Sequence, residues 1–158
     1  MEFDQAYKEY YRLIYIFAYR IIGDKNYAMD ITQETFVKLH NYMSGSNSLE
    51  NPKAWLYRVA ANISNNHLKR TSTFNRIIRG IQKDSQYDNI ESELINMEEK
   101  MLVRNALKKL SSKDRTILQL YQDGFSYAEI AEIMGIKKTA IGKTLSRAIE
   151  KCAGYIER

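Results

Sequence analysis

Phe3, Tyr7, Tyr10, Ile14, Phe17 and Ile21 recur every three or four residues, the spacing that keeps apolar side chains on one face of an α-helix. Gly23 follows where such a helix stops, so the pattern predicts a helix over 3–22. Ala28, Ile31, Thr35 and Leu39 carry a second stripe, ended by the polar run Ser44-Gly45-Ser46-Asn47-Ser48. Asn51-Pro52 opens a third helix, because the Asn side chain accepts from free amides and Pro gives up no hydrogen bond at the first helical position. That helix is expected to run to about Arg70.

Residues 71–93 lose the apolar stripe and are rich in Ser, Thr, Asn and Gln, which predicts a flexible linker with at most a short helix over 74–82. Val103, Ala106, Leu107 and Leu110 restart helical spacing, and a short helix follows from a Ser111 or Ser112 cap through Tyr121. Ser126-Tyr127-Ala128-Glu129 is a capping box, with Tyr127, Ile130, Ala131 and Met134 expected to face inward and Gly135 to end the helix. After a short turn, Ile141, Leu145, Ala148, Ile149 and Cys152 mark a last helix whose outer side keeps Lys137, Lys138, Lys143 and Arg147. Two short helices joined through a glycine turn form a helix-turn-helix.

Composition narrows the class. The 158 residues suit one domain or two small ones, and 44% hydrophobic with 27% charged residues is the balance of a chain that buries a core. One Pro and seven Gly are too few for a sandwich or barrel of many short strands, so the expected class is all-α. A single cysteine, Cys152, cannot form an internal disulfide, and the distant His40 and His67 do not make a zinc set. The N-terminus is charged from Glu2 onward and lacks the order of a secretory signal, which predicts a cytoplasmic protein. The longest apolar run, Leu13 to Tyr19, lies between Arg12 and Arg20 and falls far short of the roughly 20 residues a membrane span needs. Gly-rich phosphate loops and hydrolase or metalloprotease motifs are absent, so no catalysis, metal, cofactor or small-molecule substrate is expected.

The formal charge of +5 is unevenly distributed. Arg58 to Lys83 holds six basic residues and no acid, Asp84 to Glu99 six acids and no base, and Ile133 to Ile149 four basic residues and no acid. Two anion-facing modules around an acidic connector fit this pattern, although a charge run is also what a solvated face looks like. A plain helical bundle with a basic surface shares each single feature of the C-terminal part. The capped helix, glycine turn and acid-free outer face together favour a helix lying in the major groove of duplex DNA, where Lys and Arg meet phosphates and the shorter Thr139 and Ala140, with Lys143, lie near base edges.

Three motifs then resemble, nearly end to end, the extracytoplasmic-function sigma factors, bacterial RNA polymerase subunits reduced to the second and fourth conserved regions of the sigma-70 family. They are Asp30-Ile31-Thr32-Gln33-Glu34-Thr35-Phe36; then Ala54-Trp55-Leu56-Tyr57-Arg58-Val59-Ala60 with Asn62; then Ala106-Leu107-Lys108-Lys109-Leu110 with Tyr127-Ala128-Glu129-Ile130-Ala131 and Leu145-Ser146-Arg147-Ala148. The resemblance implies a region 2-like domain over 1–70, a linker over 71–93 that threads the polymerase, and a region 4-like domain over 94–158. It implies that Asp30, Gln33 and Glu34 bind core polymerase. By the same resemblance, Tyr42, Asn47, Trp55, Asn62, Asn66, Lys69 and Arg70, with His67 beside them, face the upstream melted element, where the loop 42–51 captures an extruded base. Trp55 fits equally a core aromatic and an outward position against DNA. Lys137, Lys138, Thr139, Ala140, Lys143 and Arg147 would contact the duplex of the distal element. Core RNA polymerase and promoter DNA are the implied partners, with room for an anti-sigma protein.

Two positions depart from the family pattern. Lys137 stands where a small capping residue is common, and Gly142 sits inside the recognition helix where a side-chain contact is usual, at a cost of about 1 kcal/mol of helix stability relative to Ala. The rival reading is a stand-alone helix-turn-helix regulator that binds duplex DNA as a dimer and uses the N-terminal helices to sense a ligand or dimerise. A third is a protein that only sequesters a partner.

Overall fold

The computed structural model describes residues 1–77 and 97–157, with side chains through Thr71 and again from Glu98. The chain divides into two compact units, Met1–Ser85 and Gln86–Arg158, and every regular element among the described residues is a helix.

The first unit is built from α1 (Phe3–Ile22), α2 (Lys25–Ser44) and α3 (Pro52–Ile77). Gly23 closes α1 in the left-handed region at φ 78° and donates its N–H to the Tyr19 carbonyl at 2.7 Å, and Asp24 caps α2 by accepting from the Tyr27 N–H at 3.0 Å. Asn51 caps α3 as its sequence predicts, accepting from the Ala54 N–H at 3.1 Å.

Ile14, Phe17, Ile21, Leu39, Leu56 and Tyr57 fill the core, with the Phe17 and Tyr57 rings 4.7 Å apart. All four residues of the second stripe are buried, joined by Thr32 and Phe36. The Thr32 and Thr35 hydroxyls donate to the Ala28 and Ile31 carbonyls at 2.7 Å, so both threonines enter an apolar interface with their polar atoms satisfied inside the helix. At the outer end of the first stripe, Tyr7 remains exposed and Phe3 half-buried, resting against Phe36 at 5.1 and 6.5 Å between ring centroids.

The third helix does not stop at Arg70 but continues to Ile77. Loss of an apolar stripe removes a packing face, yet intrahelical hydrogen bonds persist until a breaker intervenes, and no Gly or Pro follows Pro52 before Gly80. Thr71 turns its hydroxyl back onto the His67 carbonyl at 3.0 Å. Residues 71–77, expected in the linker, are therefore helical. The rest of that linker and the end of its expected short helix lie outside the described residues.

The second unit contains α4 (Met97–Lys109), α5 (Ser112–Gln122), α6 (Tyr127–Met134) and α7 (Lys138–Ile156). Ser111, not Ser112, caps α5, accepting from the Asp114 N–H at 3.2 Å. Helices α4, α5 and α6 each pack against α7, around a core that includes Ala106, Leu110, Ile117, Leu120, Ile130, Ile141, Leu145 and Ala148. Asp114 on α5, nearly buried, accepts from the Lys151 Nζ on α7 at 3.1 Å.

The inward face of α6 differs from the expected one. Ile130, Ala131 and Ile133 are buried, Met134 is half-buried, and Tyr127 is 42% exposed. A helix of two turns lodged against both α5 and α7 turns a wide face inward at its C-terminal end, while its first residue lies at the edge of that face with its ring near Gly142 of α7. Val103 and Ile149, also expected inward, are exposed.

Candidate polymerase and nucleic-acid surfaces

The helix-turn-helix is fixed by its caps. The Ser126 hydroxyl accepts from the Glu129 N–H at 3.2 Å, and the Glu129 carboxylate accepts from the Ser126 N–H at 2.9 Å. Gly135, at φ 67°, turns the chain toward α7 with its N–H on the Ala131 carbonyl. Burial of Ile141, Leu145 and Ala148 sets the rotation of α7. Lys137, Lys138, Thr139, Lys143 and Arg147 are consequently exposed, and Ala140 is half-buried.

The first turn of α7 has no acidic residue, and Lys137 occupies the N-cap without a side-chain hydrogen bond. Free amides, the positive end of the helix dipole and two lysines thus converge, an arrangement that favours an anion such as a DNA phosphate. Gly142 is half-buried at the edge of this face, and a Cβ there would meet the Tyr127 ring at 3.6 Å.

On α2, Asp30, Gln33 and Glu34 are exposed on the side opposite the buried stripe, and Glu34 lies 3.9 Å from Lys38 one turn on. Between α2 and α3 runs an open groove of about 510 Å³, lined by Asp30, Glu34 and Lys38 from one helix and by Asn62, Asn66 and Arg70 from the other. Residues that sequence reasoning gave to separate partners therefore share one groove; Gln33 and Lys69 are not among its lining residues. Tyr27 and His67 line it as well, their rings 4.2 Å apart. Neither Tyr27 nor Lys38 was anticipated, although Lys38 stands four residues after Glu34, a legible ion-pair spacing.

Tyr42, Asn47 and Trp55 gather where α2 ends. The Tyr42 and Trp55 rings are 5.5 Å apart, and Asn47 donates its side-chain N–H to the Tyr42 carbonyl at 3.0 Å. Ser46 adopts φ 62°, an uncommon conformation for a residue other than glycine. Trp55 is half-buried and so is neither a closed core residue nor a fully outward one. Asn62 lies seven residues along α3, about 10 Å of helix rise away, and opens onto the groove.

Among the described residues, no group of three or more His, Cys, Asp or Glu side chains is placed to hold a metal ion, and no helix is long and apolar enough to cross a membrane. Burial pushes the pKa of the half-buried Cys152 thiol above its ordinary value, which favours the protonated form.

The first unit is a three-helix bundle whose α2 turns Asp30, Gln33 and Glu34 outward, and the second carries a helix-turn-helix with a basic outer face. Residues 6–74 match the family model Sigma-70 region 2, and residues 100–152 match Sigma-70, region 4. The chain belongs to the sigma-70 family, among its extracytoplasmic-function members, and is a sigma factor that binds core RNA polymerase, directs it to promoters and initiates melting and transcription.

It is 27% identical over 150 residues to the ECF RNA polymerase sigma factor SigL of Mycobacterium tuberculosis, covering 90% of this chain and 82% of that protein. It is 28% identical over 151 residues to the RNA polymerase sigma factor YlaC of Bacillus subtilis, covering 92% and 86%. Its fold is similar to that of the sigma factor RpoE from Bartonella quintana, solved with the anti-sigma factor NepR, at a TM-score of 0.80, 22% identity and coverage of 98% and 96%.

Proposed function

We propose a division of labour between the two units. In the region 2-like unit, Asp30, Gln33 and Glu34 dock on core polymerase. Tyr42, Asn47, Trp55, Asn62, Asn66, Lys69 and Arg70 hold the melted upstream strand. In the region 4-like unit, Lys137, Lys138, Thr139, Ala140, Lys143 and Arg147 contact the distal duplex element. The chain itself catalyses nothing, since phosphodiester synthesis belongs to the polymerase, and it acts in the cytoplasm. An anti-sigma protein is a fitting regulator, given that the similar Bartonella protein was solved with one.

The observation that carries this reading is the two-sidedness of α2: Ile31, Thr32, Thr35, Phe36 and Leu39 are buried, while Asp30, Gln33 and Glu34 face out and need no role in folding. A stand-alone regulator accounts only for the residues matched by region 4 and leaves the region 2 match without a use.

The test is to replace Asp30, Gln33 and Glu34 together with Ala. Exposed positions of this kind usually change stability by no more than about 0.5 kcal/mol each, so the variant should keep its melting behaviour yet fail to co-elute with core polymerase and to support run-off transcription. Wild-type co-elution by the triple variant would remove the assignment.

A further inference from the structure

Gly45 and Ser46 carry each other's expected conformation. Ser46 takes the left-handed region at φ 62°, where glycine is the residue without a steric penalty, while Gly45 before it sits at φ −81° and ψ 17°, which any residue adopts. The glycine is therefore not there for its backbone. What it provides is room: a Cβ on residue 45 would stand 3.1 Å from the Asn47 Nδ2 and 3.5 Å from the Tyr42 carbonyl oxygen. Between those two atoms runs the hydrogen bond by which the Asn47 side chain donates to the Tyr42 carbonyl at 3.0 Å.

That carbonyl belongs to the last turn of α2, where the final four C=O groups find no partner within the helix. The Gly45 N–H reaches it only at 3.4 Å, so the Asn47 amide makes the shorter bond. Tyr42 also carries the ring that meets Trp55, at 5.5 Å between centroids, and so ties the end of α2 to the start of α3.

We infer that Asn47 is a positioning residue: its amide closes the 44–47 loop onto α2 and holds the Tyr42 ring beside Trp55, and Gly45 keeps the space that this bond needs. The inference rests on the reading of Tyr42 and Trp55 as strand-holding residues and changes what Asn47 does there. With its N–H engaged on a backbone carbonyl, Asn47 acts through Tyr42 rather than by touching a base. A ring pair that is already ordered binds a strand more tightly, because no side-chain freedom has to be given up at the moment of binding.

The chain has a single tryptophan, so its fluorescence reports on Trp55 alone. Acrylamide quenching of the full chain reads how far the Tyr42 ring shields it, with folding checked by circular dichroism. Strand binding is measured by fluorescence anisotropy with holoenzyme reconstituted from core polymerase and the full chain, on a labelled single strand of a promoter that the wild-type holoenzyme selects from a random duplex pool.

Asn47→Ala should raise the quenching constant toward that of Tyr42→Ala with the helical spectrum unchanged, and should weaken strand binding about fivefold, the worth of one hydrogen bond. Asn47→Asp keeps the shape of the side chain but has no N–H to donate, so it should raise the quenching as Asn47→Ala does. Gly45→Ala crowds the amide; it should weaken binding in the wild-type background and add nothing to Asn47→Ala. The deciding comparison is Asn47→Ala made in Tyr42→Ala. With the ring gone there is nothing left to position, and the second substitution should change binding by less than about twofold.

If Asn47→Ala costs as much in Tyr42→Ala as in the wild type, Asn47 touches the strand itself, and the inference is overturned while the strand-holding reading of Tyr42 stands. If Trp55 is quenched no more in Asn47→Ala than in the wild type, the amide does not hold the ring and the inference is likewise overturned. If Tyr42→Ala leaves strand binding intact, that reading falls and the inference falls with it.

Discussion

Lys137 gives a sharp test of how α7 balances stability against binding. Its backbone, at φ −67° and ψ 138°, has the extended conformation of an N-cap, close to that of Ser126 at −68° and 161° and of Ser111 at −60° and 157°. Those two serines each accept a backbone N–H from the residue three positions on; the lysine side chain has no acceptor. Because the Ala140 N–H already donates to the Lys137 carbonyl at 2.9 Å, the serine hydroxyl of Lys137→Ser should accept from the Thr139 N–H instead, a bond worth about 1 kcal/mol. The substitution also removes a cation from the positive end of the helix, worth about 0.3–1 kcal/mol more. A gain of about 1–2 kcal/mol corresponds to a rise of roughly 4–8 °C in melting temperature per kcal/mol for a unit of this size.

Lys137→Ala separates the two contributions, because it relieves the charge without restoring the cap. The assay is thermal melting of the full chain by circular dichroism, with amide exchange of α7 to assign the transition to the second unit. Duplex binding by Lys137→Ser should move the opposite way, weaker and with a shallower salt dependence. A variant no more stable than wild type would refute the cap argument, and one that binds DNA more tightly would refute the proposed phosphate contact of Lys137.

Two further outcomes follow from packing. Asp114 is nearly buried against α7 with Lys151 as its partner, so Lys151→Met, which leaves the carboxylate buried without that cation, should destabilise the second unit by about 1–3 kcal/mol, whereas Asp114→Ala, which leaves behind only a solvated ammonium, should cost less than about 1 kcal/mol; urea unfolding of both variants checks the asymmetry. Tyr10 has its pKa raised above 10.0, chiefly by burial and then by Glu9, so the folded state holds its proton more tightly than the unfolded one, and the stability this contributes is present below pH 10 and is lost as pH rises through the higher folded-state value. Tyr10→Phe, compared with wild type by urea midpoints between neutral pH and about pH 10.5, should show a smaller alkaline loss.

Where a sequence signal acts locally, it could be read. The Asn51-Pro52 start of α3, the Ser126 and Glu129 capping box and the Gly23 and Gly135 stops each depend on a few adjacent backbone groups, and all four form. Periodicity found Ile14, Phe17 and Ile21, because one helix face meets one core. It misplaced Tyr127, because α6 is too short for its spacing to choose between two neighbouring helices. The extension of α3 to Ile77 is not legible in the apolar pattern, because loss of the stripe removes a packing face without ending the helix. The groove between α2 and α3 was not legible, since the placing of Arg70 in one groove with Asp30 and Glu34 depends on how two helices cross and no spacing within either encodes it.

The link between α1 and α2 bears on the order in which the first unit assembles. Gly23 and Asp24 alone separate two helices of twenty residues each. The entropy of closing a loop grows with its length, and contacts near in sequence form sooner than distant ones, so the pair is expected to zip from this link outward toward the Phe3 and His40 rings, 5.2 Å apart at the far end. The third helix then docks on a hairpin already formed. A lesion that loosens only α3 would accordingly leave α2 folded, its Asp30, Gln33 and Glu34 still displayed, and the groove unfinished. On the proposed assignment of these residues to core polymerase and of the groove to the melted strand, such a chain would still occupy polymerase while failing to open DNA, a dominant poison to transcription rather than a silent loss.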